Sequence, residues 1–360
     1  MIFELLKLCY ERGASDLHFK VGYPPILRID GSMLPLKMKK IEQVDYGVML
    51  EAILDDYQLV KFHEFKKLDL GYSFANTRFR VNLFFDYHGG SAVFRMIPFL
   101  NLTFDDIALP KAARSLIDRP SGLIMVTGAT GAGKSTTLSA FISHINAFKQ
   151  KSIITIEDPI EYIFEDRKSI VSQRQVGVDT RSFEEGIRGS LQTDADIIMV
   201  GELRDPEAVN MTMTAAECGK LVFATLHSNT AMQGIDRFVN LFPQTQHAQV
   251  MGRLSNTLLG IITQTLVPKK VGKGRIAAFE VLLGVPTIRG LIAENRTHLI
   301  QSYQESGGET GMCTLDQALA MLVIKNQVTV EEALLRAVNY GNLKKLIEQA
   351  GAGEPGGKPS

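Results

Sequence analysis

The 360-residue sequence has no net charge, because Lys+Arg and Asp+Glu number 39 each. It therefore lacks the basic excess that a phosphate-rich polymer demands, and no nucleic-acid partner is expected. Cysteine is scarce too. Cys9, Cys218 and Cys313 stand far apart and form no C-x-x-C pair, which argues against a disulfide framework or a zinc knuckle and for a reducing, cytosolic compartment. No apolar run reaches the roughly 18 residues of a membrane span. The opening MIFELLKLCYERG carries Glu4 inside its apolar stretch and has no basic segment before it, so it does not read as a signal peptide. No internal repeat is visible.

What is present suggests two domains, the ordinary expectation for this length. Ile2, Leu5, Leu6 and Cys9 have the spacing of an amphipathic helix, ended by Gly13. Short β-rich runs follow: SDLHF, ILRIDGSMLPL with an Asp30-Gly31 hairpin signal, LGYSF, RFRVNLFF and SAVFRMIP, divided by Asn76 and Gly89-Gly90. Residues 1–100 thus read as a small α+β domain on an antiparallel sheet. Residues 101–120, with Pro110 and Pro120, read as a linker entering a helix.

From 121 to 349 the pattern becomes apolar strands alternating with helices: GLIMVTG, SIITIED, DIIMVGE and KLVFATLH. Such near-continuous apolar runs fit a parallel sheet covered on both faces, an α/β domain. Beyond AAFEVLL the remaining stretches have helical period, with capping boxes expected at Thr314/Gln317 and Thr329/Glu332. Residues 350–360, GAGEPGGKPS and the alanine before it, read as a disordered tail.

GATGAGKS, residues 128–135, satisfies G-x-x-x-x-G-K-[ST] directly after an apolar strand and before a helix. Glycines at 128, 131 and 133 let the main chain curl so that successive N–H groups of Gly128, Thr130, Gly131, Ala132 and Gly133 point inward, with a Cβ expected to crowd the phosphate oxygens. Lys134 is expected to reach the β and γ phosphates of ATP, Ser135 to ligate Mg²⁺, and Thr136 with the helix start to offset remaining charge. Two strand ends offer carboxylates: SIITIEDPIEY with Glu157, Asp158 and Glu161, and DADIIMVGELRD with Glu202, one acid for the metal and another for the attacking water. His227, just past LVFATL, is expected on the same sheet edge near a γ-phosphate. By spacing alone Arg78, Arg80 and Arg95 read as arginines on a solvated sheet face.

These motifs resemble those of the secretion ATPase superfamily, and most closely its PilT-type retraction ATPases of type IV pili. GATGAGKST looks like the Walker A motif, TIEDPIEY like the Asp box, IIMVGELRD like Walker B and ATLHSNTA like the His box, in the family's order, with IDRFVNLFP and QTLVP following. GASDLHF and PPILRIDG resemble the family's PAS-like N-terminal domain. The resemblance implies a RecA-like P-loop ATPase domain and an ATP-hydrolysing motor that retracts pili. Glu161 and Glu202 would handle water and metal, with the choice of base left open, His227 would be the His-box residue, and Arg80 and Arg95 would complete the site. It further implies a homo-hexameric ring acting on an inner-membrane platform protein, and with a paralogous retraction ATPase, at the cytoplasmic face of that membrane.

The sequence departs from the family at two places. Gln192 stands where an arginine is usual before Walker B, with Arg188 one turn earlier expected to supply the charge. TIRGLIAE resembles the AIRNLIRE element, but Gly290 and Ala293 replace its Asn and second Arg. The alternatives are an accessory ATPase of the PilU kind, a nucleic-acid translocase on the same core, or a nucleotide-binding subunit without turnover.

Overall fold

The computed structural model describes residues 1–29, 31–75, 77–97, 102–307 and 310–351. The chain divides into two compact units, Met1–Leu100 with Pro159–Phe164, and Asn101–Asp158 with Glu165–Ser360.

The first unit is built on a six-stranded antiparallel sheet: β1 (Asp16–Lys20), β2 (Ile26–Ile29), β3 (Ser32–Pro35), β4 (Lys67–Phe74), β5 (Thr77–Asp86) and β6 (Gly89–Ile97), in the order β3-β2-β1-β6-β5-β4. Period-two alternation sorts its faces. On β5, Phe79, Val81 and Leu83 are buried while Arg78, Arg80 and Asn82 alternate with them. The apolar face packs against the helices Ile2–Glu11, Gln43–Ile53 and Asp56–Phe65, and the first of these buries Ile2, Leu5, Leu6 and Cys9, as their spacing requires. The expected hairpin joins β2 to β3 with Ile29 opposite Ser32 and Gly31 at φ 81°. Asp30 and Asn76 lie outside the described residues.

The second unit carries a seven-stranded, mostly parallel sheet: β7 (Gly122–Thr127), β8 (Ser152–Glu157), β9 (Ile170–Gln175), β10 (Ile197–Val200), β11 (Leu221–Leu226), β12 (Leu258–Pro268) and β13 (Arg275–Leu283). The order is β13-β12-β7-β11-β10-β8-β9, antiparallel only between β12 and β13. Every residue of β7, β10 and β11 is buried, which is why their sequences hold no polar alternation. One face packs on helices that include Phe183–Leu191, Pro206–Glu217 and Ala231–Asn240. On the other, Phe223 of β11 meets Phe141 of the helix Lys134–Phe148 with ring centres 5.3 Å apart, and Phe104 joins them. Residues 102–120, expected as a linker, group with this unit.

A third core joins the far ends of β12 and β13 to the helices Leu315–Ile324, Val330–Leu334 and Tyr340–Gly351. The capping box at Thr314 forms in full. At Thr329 only half forms: Thr329 caps the N–H of Glu332, but the Glu332 carboxylate is drawn 2.6 Å from Arg336 instead of reaching back. The final helix runs to 351, and the tail from 352 lies outside the described residues.

In-register parallel pairing fixes the site. Thr127 lies opposite Leu226, and Val200 opposite both Ala224 and Ile156. The phosphate loop, Glu202 and His227 therefore leave the sheet at one edge, outside the carboxyl ends of neighbouring strands, where open α/β sheets bind ligands.

Candidate active site

The loop after β7 turns through positive φ at Gly128 (154°), Gly131 (75°) and Gly133 (90°). The structure adds a second reason for two of these glycines. A Cβ on Gly128 would lie 2.6 Å from the main-chain oxygen of Gln264, and one on Gly133 3.0 Å from the Gln264 Nε2, whereas a Cβ on Gly131 would meet open space. All three adopt a backbone conformation that favours glycine; at Gly128 and Gly133 the approach to β12 adds to it, and at Gly131 the conformation acts alone. Gln264 is buried on β12; its Nε2 donates to the Ala132 carbonyl (2.6 Å) and its Oε1 accepts from Thr137 Oγ1 (2.7 Å). One amide thus fastens the loop to the first turns of the following helix. The signal was available: a glutamine at an interior position of an apolar strand needs a buried polar partner.

Lys134 Nζ donates to the carbonyls of Gly128 (2.9 Å) and Ala129 (3.0 Å) and stands 3.3 Å from His227 Nδ1. An ammonium only donates, so Nδ1 accepts and the ring proton sits on Nε2, which is 2.8 Å from Glu202 Oε1. Glu202 Oε2 accepts from Arg204 Nε (2.8 Å), and Arg204 Nη1 reaches Asp158 Oδ2 (2.8 Å). A continuous polar chain therefore runs from Lys134 through His227, Glu202 and Arg204 to Asp158. Burial alone would lower the pKa of Arg204; the hydrogen bonds and charges of Glu202 and Asp158 outweigh it and raise the pKa. Arg204 had no role in the sequence reading, although it lies in the quoted GELRD.

The remaining acids separate. Glu157 is buried at the end of β8 and accepts from Thr155 Oγ1 (2.6 Å) and Gln173 Nε2 (3.0 Å), a structural arrangement. Glu161 is exposed and falls in the segment Pro159–Phe164 that groups with the first unit. Arg188, expected to supply the charge missing at Gln192, is held 2.6 Å from Glu184.

In the first unit Arg80 and Arg95 are direct cross-strand partners on the polar face. Each is already paired, Arg80 with Asp69 (2.6 Å) and Arg95 with Asp16 (2.9 Å). Burial would raise the pKa of Asp16, but hydrogen bonds from Ser15 and Arg95 and the charge of Arg95 bring it below the usual value. Asp69 and Arg80 are both well exposed, so release of Arg80 from Asp69 costs only about 1 kcal/mol or less, whereas Asp16 is buried and losing Arg95 would leave its carboxylate to Ser15 and Arg28 at a higher cost. The TIRGLIAE stretch forms the helix Pro286–Ala293, with Ile288 and Ile292 buried and Arg289 donating to the Leu258 carbonyl (2.9 Å). Gly290 faces open space.

The donor set fits the nucleotide. The helix Lys134–Phe148 opens on Gly133 without a side-chain cap, leaving its positive end to an anion. Among the described residues no group of three His, Cys, Asp or Glu side chains forms a metal cage. One serine hydroxyl and one carboxylate near a phosphate loop suit Mg²⁺, which takes few protein ligands and keeps waters and phosphate oxygens.

A phosphate loop after a central parallel strand, with an acid and a histidine on adjoining strand ends, defines a RecA-like nucleotide-binding ATPase core. Residues 2–352 match the model of the Type II/IV secretion system protein family, and the chain belongs to that family. It is 43% identical to the type IV pilus retraction ATPase PilT of Pseudomonas aeruginosa, over 93% of this chain and 98% of that one. It is 37% identical to the type IV pilus ATPase PilU of the same organism, over 97% and 92%. A crystal structure of the pilus retraction motor PilT with bound ADP is 40% identical and superposes with a TM-score of 0.88, covering 96% of this chain and 99% of that one.

Proposed function

We propose that this chain is an ATP-hydrolysing motor that drives retraction of type IV pili, and so twitching motility. The observation that carries the reading is the run of contacts from Lys134 through His227 to Glu202 at the mouth of the phosphate loop. The similarity to a pilus retraction ATPase over nearly the whole chain supports the biological half.

Bound Mg-ATP supplies the phosphoanhydride and the charge that the protein must manage. The main chain at Gly128, Thr130, Gly131, Ala132 and Gly133 offers N–H groups to the phosphates, and Thr136 adds a hydroxyl at the helix start. Lys134 exchanges neutral carbonyl acceptors for phosphate oxygens, which are stronger partners. Ser135 and Glu202 would hold Mg²⁺, which would offset phosphate charge. Glu202 and Glu161 are the carboxylates that orient the attacking water. His227 would contact the terminal phosphoryl group on exchanging one of its present partners, Lys134 or Glu202.

Residues 1–100 act as the PAS-like domain and 121–349 as the core of the ATPase domain, with 101–120, which group with the second unit, leading into it. Arg80 and Arg95 complete a site in a homo-hexameric ring, where hydrolysis becomes ring deformation against an inner-membrane platform protein. The motor works on the cytoplasmic side; among the described residues no helix is long and apolar enough to cross a membrane. Gly290 and Ala293 favour a second reading, an accessory ATPase working beside a paralogue.

Deleting the gene and scoring pili and surface movement tests the proposal. Hyperpiliated, immobile cells are the result expected of the primary motor, and normal motility with intact piliation under load would support the accessory one. ATPase activity stimulated by DNA with strongly salt-dependent binding would instead favour a translocase.

A further inference from the structure

β13 carries a glutamate inside an otherwise apolar stretch, IAAFEVLL, and Glu280 is 4% exposed. A buried carboxyl without a cationic partner is costly, and the groups described against it include no lysine or arginine. Its Oε2 accepts from the main-chain N–H of Ala231 (3.1 Å), the first residue of the helix Ala231–Asn240. That helix already has a cap, since Thr230 accepts from the N–H of Gln233. Glu280 takes a second first-turn donor. Gln304, also buried, spans the carbonyls of Val281 (3.1 Å) and Cys313 (2.8 Å).

The ionisable groups described against Glu280 are Asp316, 2% exposed, with Glu305 beyond it, and the Cys313 thiol alongside. Asp316 accepts from the N–H groups of Val338 (2.8 Å) and Asn339 (2.9 Å), fastening the start of the last helix. A cavity of about 20 Å³ lies between the two carboxyls, beside Thr230 and Thr314, room for one water. From Ala231 the chain runs back three residues to Ser228, whose hydroxyl donates to the Thr230 carbonyl (3.1 Å), and then to His227.

We propose that Glu280 is a positioning residue for ATP hydrolysis: it holds the first turn of the helix Ala231–Asn240, thereby sets residues 228–230 and His227, and couples turnover to the packing of the C-terminal helices. The inference rests on the reading of His227 given above. Burial, the largest cause, pushes the Glu280 carboxyl up to about 7, and it raises Asp316 as well. The sign follows from that. Below the usual carboxyl value both folded and unfolded chains carry the proton; as pH rises towards 7 only the unfolded chain loses it, and stability falls.

The test is Glu280→Gln, which keeps the shape and the acceptor for Ala231 but never ionises. Mg-ATP turnover, nucleotide KM and thermal midpoint are measured across neutral pH. In the wild type, kcat rises through an inflection near 7 as Glu280 ionises. In the variant that inflection is absent and kcat at pH 8 is lower by about threefold or more, for roughly 0.7 kcal/mol of lost positioning. KM stays unchanged, and the thermal midpoint at pH 8 rises. Superimposable pH profiles, or a lower midpoint with the inflection retained, would overturn the inference while leaving hydrolysis standing. No wild-type turnover at any pH would remove the hydrolytic reading itself. Should the glutamine variant not fold, Glu280→Asp must retain the inflection at reduced kcat, and a wild-type kcat there counts against the proposal.

Discussion

The phosphate loop is built from main chain, glycine conformation and one buried amide, Gln264, that locks it to β12 and to the next helix. Across its mouth, Glu202, His227, Arg204 and Asp158 are side chains at strand ends, between about a quarter and a half exposed and joined by contacts near 2.8 Å. The first is a fixed grip, since moving it would break buried hydrogen bonds. The second can rearrange cheaply, because exposed ion pairs trade readily with water. A site that must hold a nucleotide tightly and yet respond to loss of its terminal phosphate needs both. Lys134 belongs to each, bonded to the loop carbonyls and to His227.

Removing that shared residue should have the largest effect. Lys134→Ala is expected to cost turnover on the order of a thousandfold and to weaken nucleotide binding, read by phosphate release and by fluorescent ADP titration; retention of either would break the distinction between grip and response. Gln264→Ala comes next. It strands the Ala132 carbonyl and the Thr137 hydroxyl, so urea unfolding should show a loss of about 1–3 kcal/mol together with weaker binding, whereas an unaltered affinity would mean that the loop holds its shape without β12.

The polar face of the first unit extends the comparison to Arg80, whose pair with Asp69 is exposed and lightly held. Mixing Arg80→Ala subunits with Glu161→Ala subunits should restore part of the activity that each lacks, and no recovery at any ratio would count against shared sites in a ring. The smallest effect belongs to Gly290, which faces open space in a helix. Gly290→Ala should stabilise the protein by about 0.5–1 kcal/mol without altering turnover, and a loss of stability would mean that the position is not free.

The sequence was most informative where function is contiguous. GATGAGKS carries its own geometry, and β7, β10 and β11 announce themselves because burial on both faces leaves them almost wholly apolar, with Thr127 and Thr225 their only polar side chains. What stayed hidden depends on partners distant in the chain. Gln264 matters through Ala132 and Thr137, Arg204 through Asp158, and Arg95 through Asp16 79 residues away. β9, IVSQRQ, escaped because an edge strand need not be apolar, and half of the capping box at Thr329 was lost to Arg336, a competitor outside the motif. Glu280 was passed over as one letter in an apolar run, although a buried acid is where local composition and three-dimensional cost disagree most.

The measurement that bears most directly on the division between grip and response is nucleotide binding set beside turnover in Glu202→Gln. The amide keeps the shape and removes the charge facing His227 and Arg204. Mg-ATP affinity within about threefold of wild type, with phosphate release lower by about a hundredfold or more, is the expected result. Wild-type turnover, or loss of binding in step with turnover, would contradict the assignment of hydrolysis to this strand-end cluster.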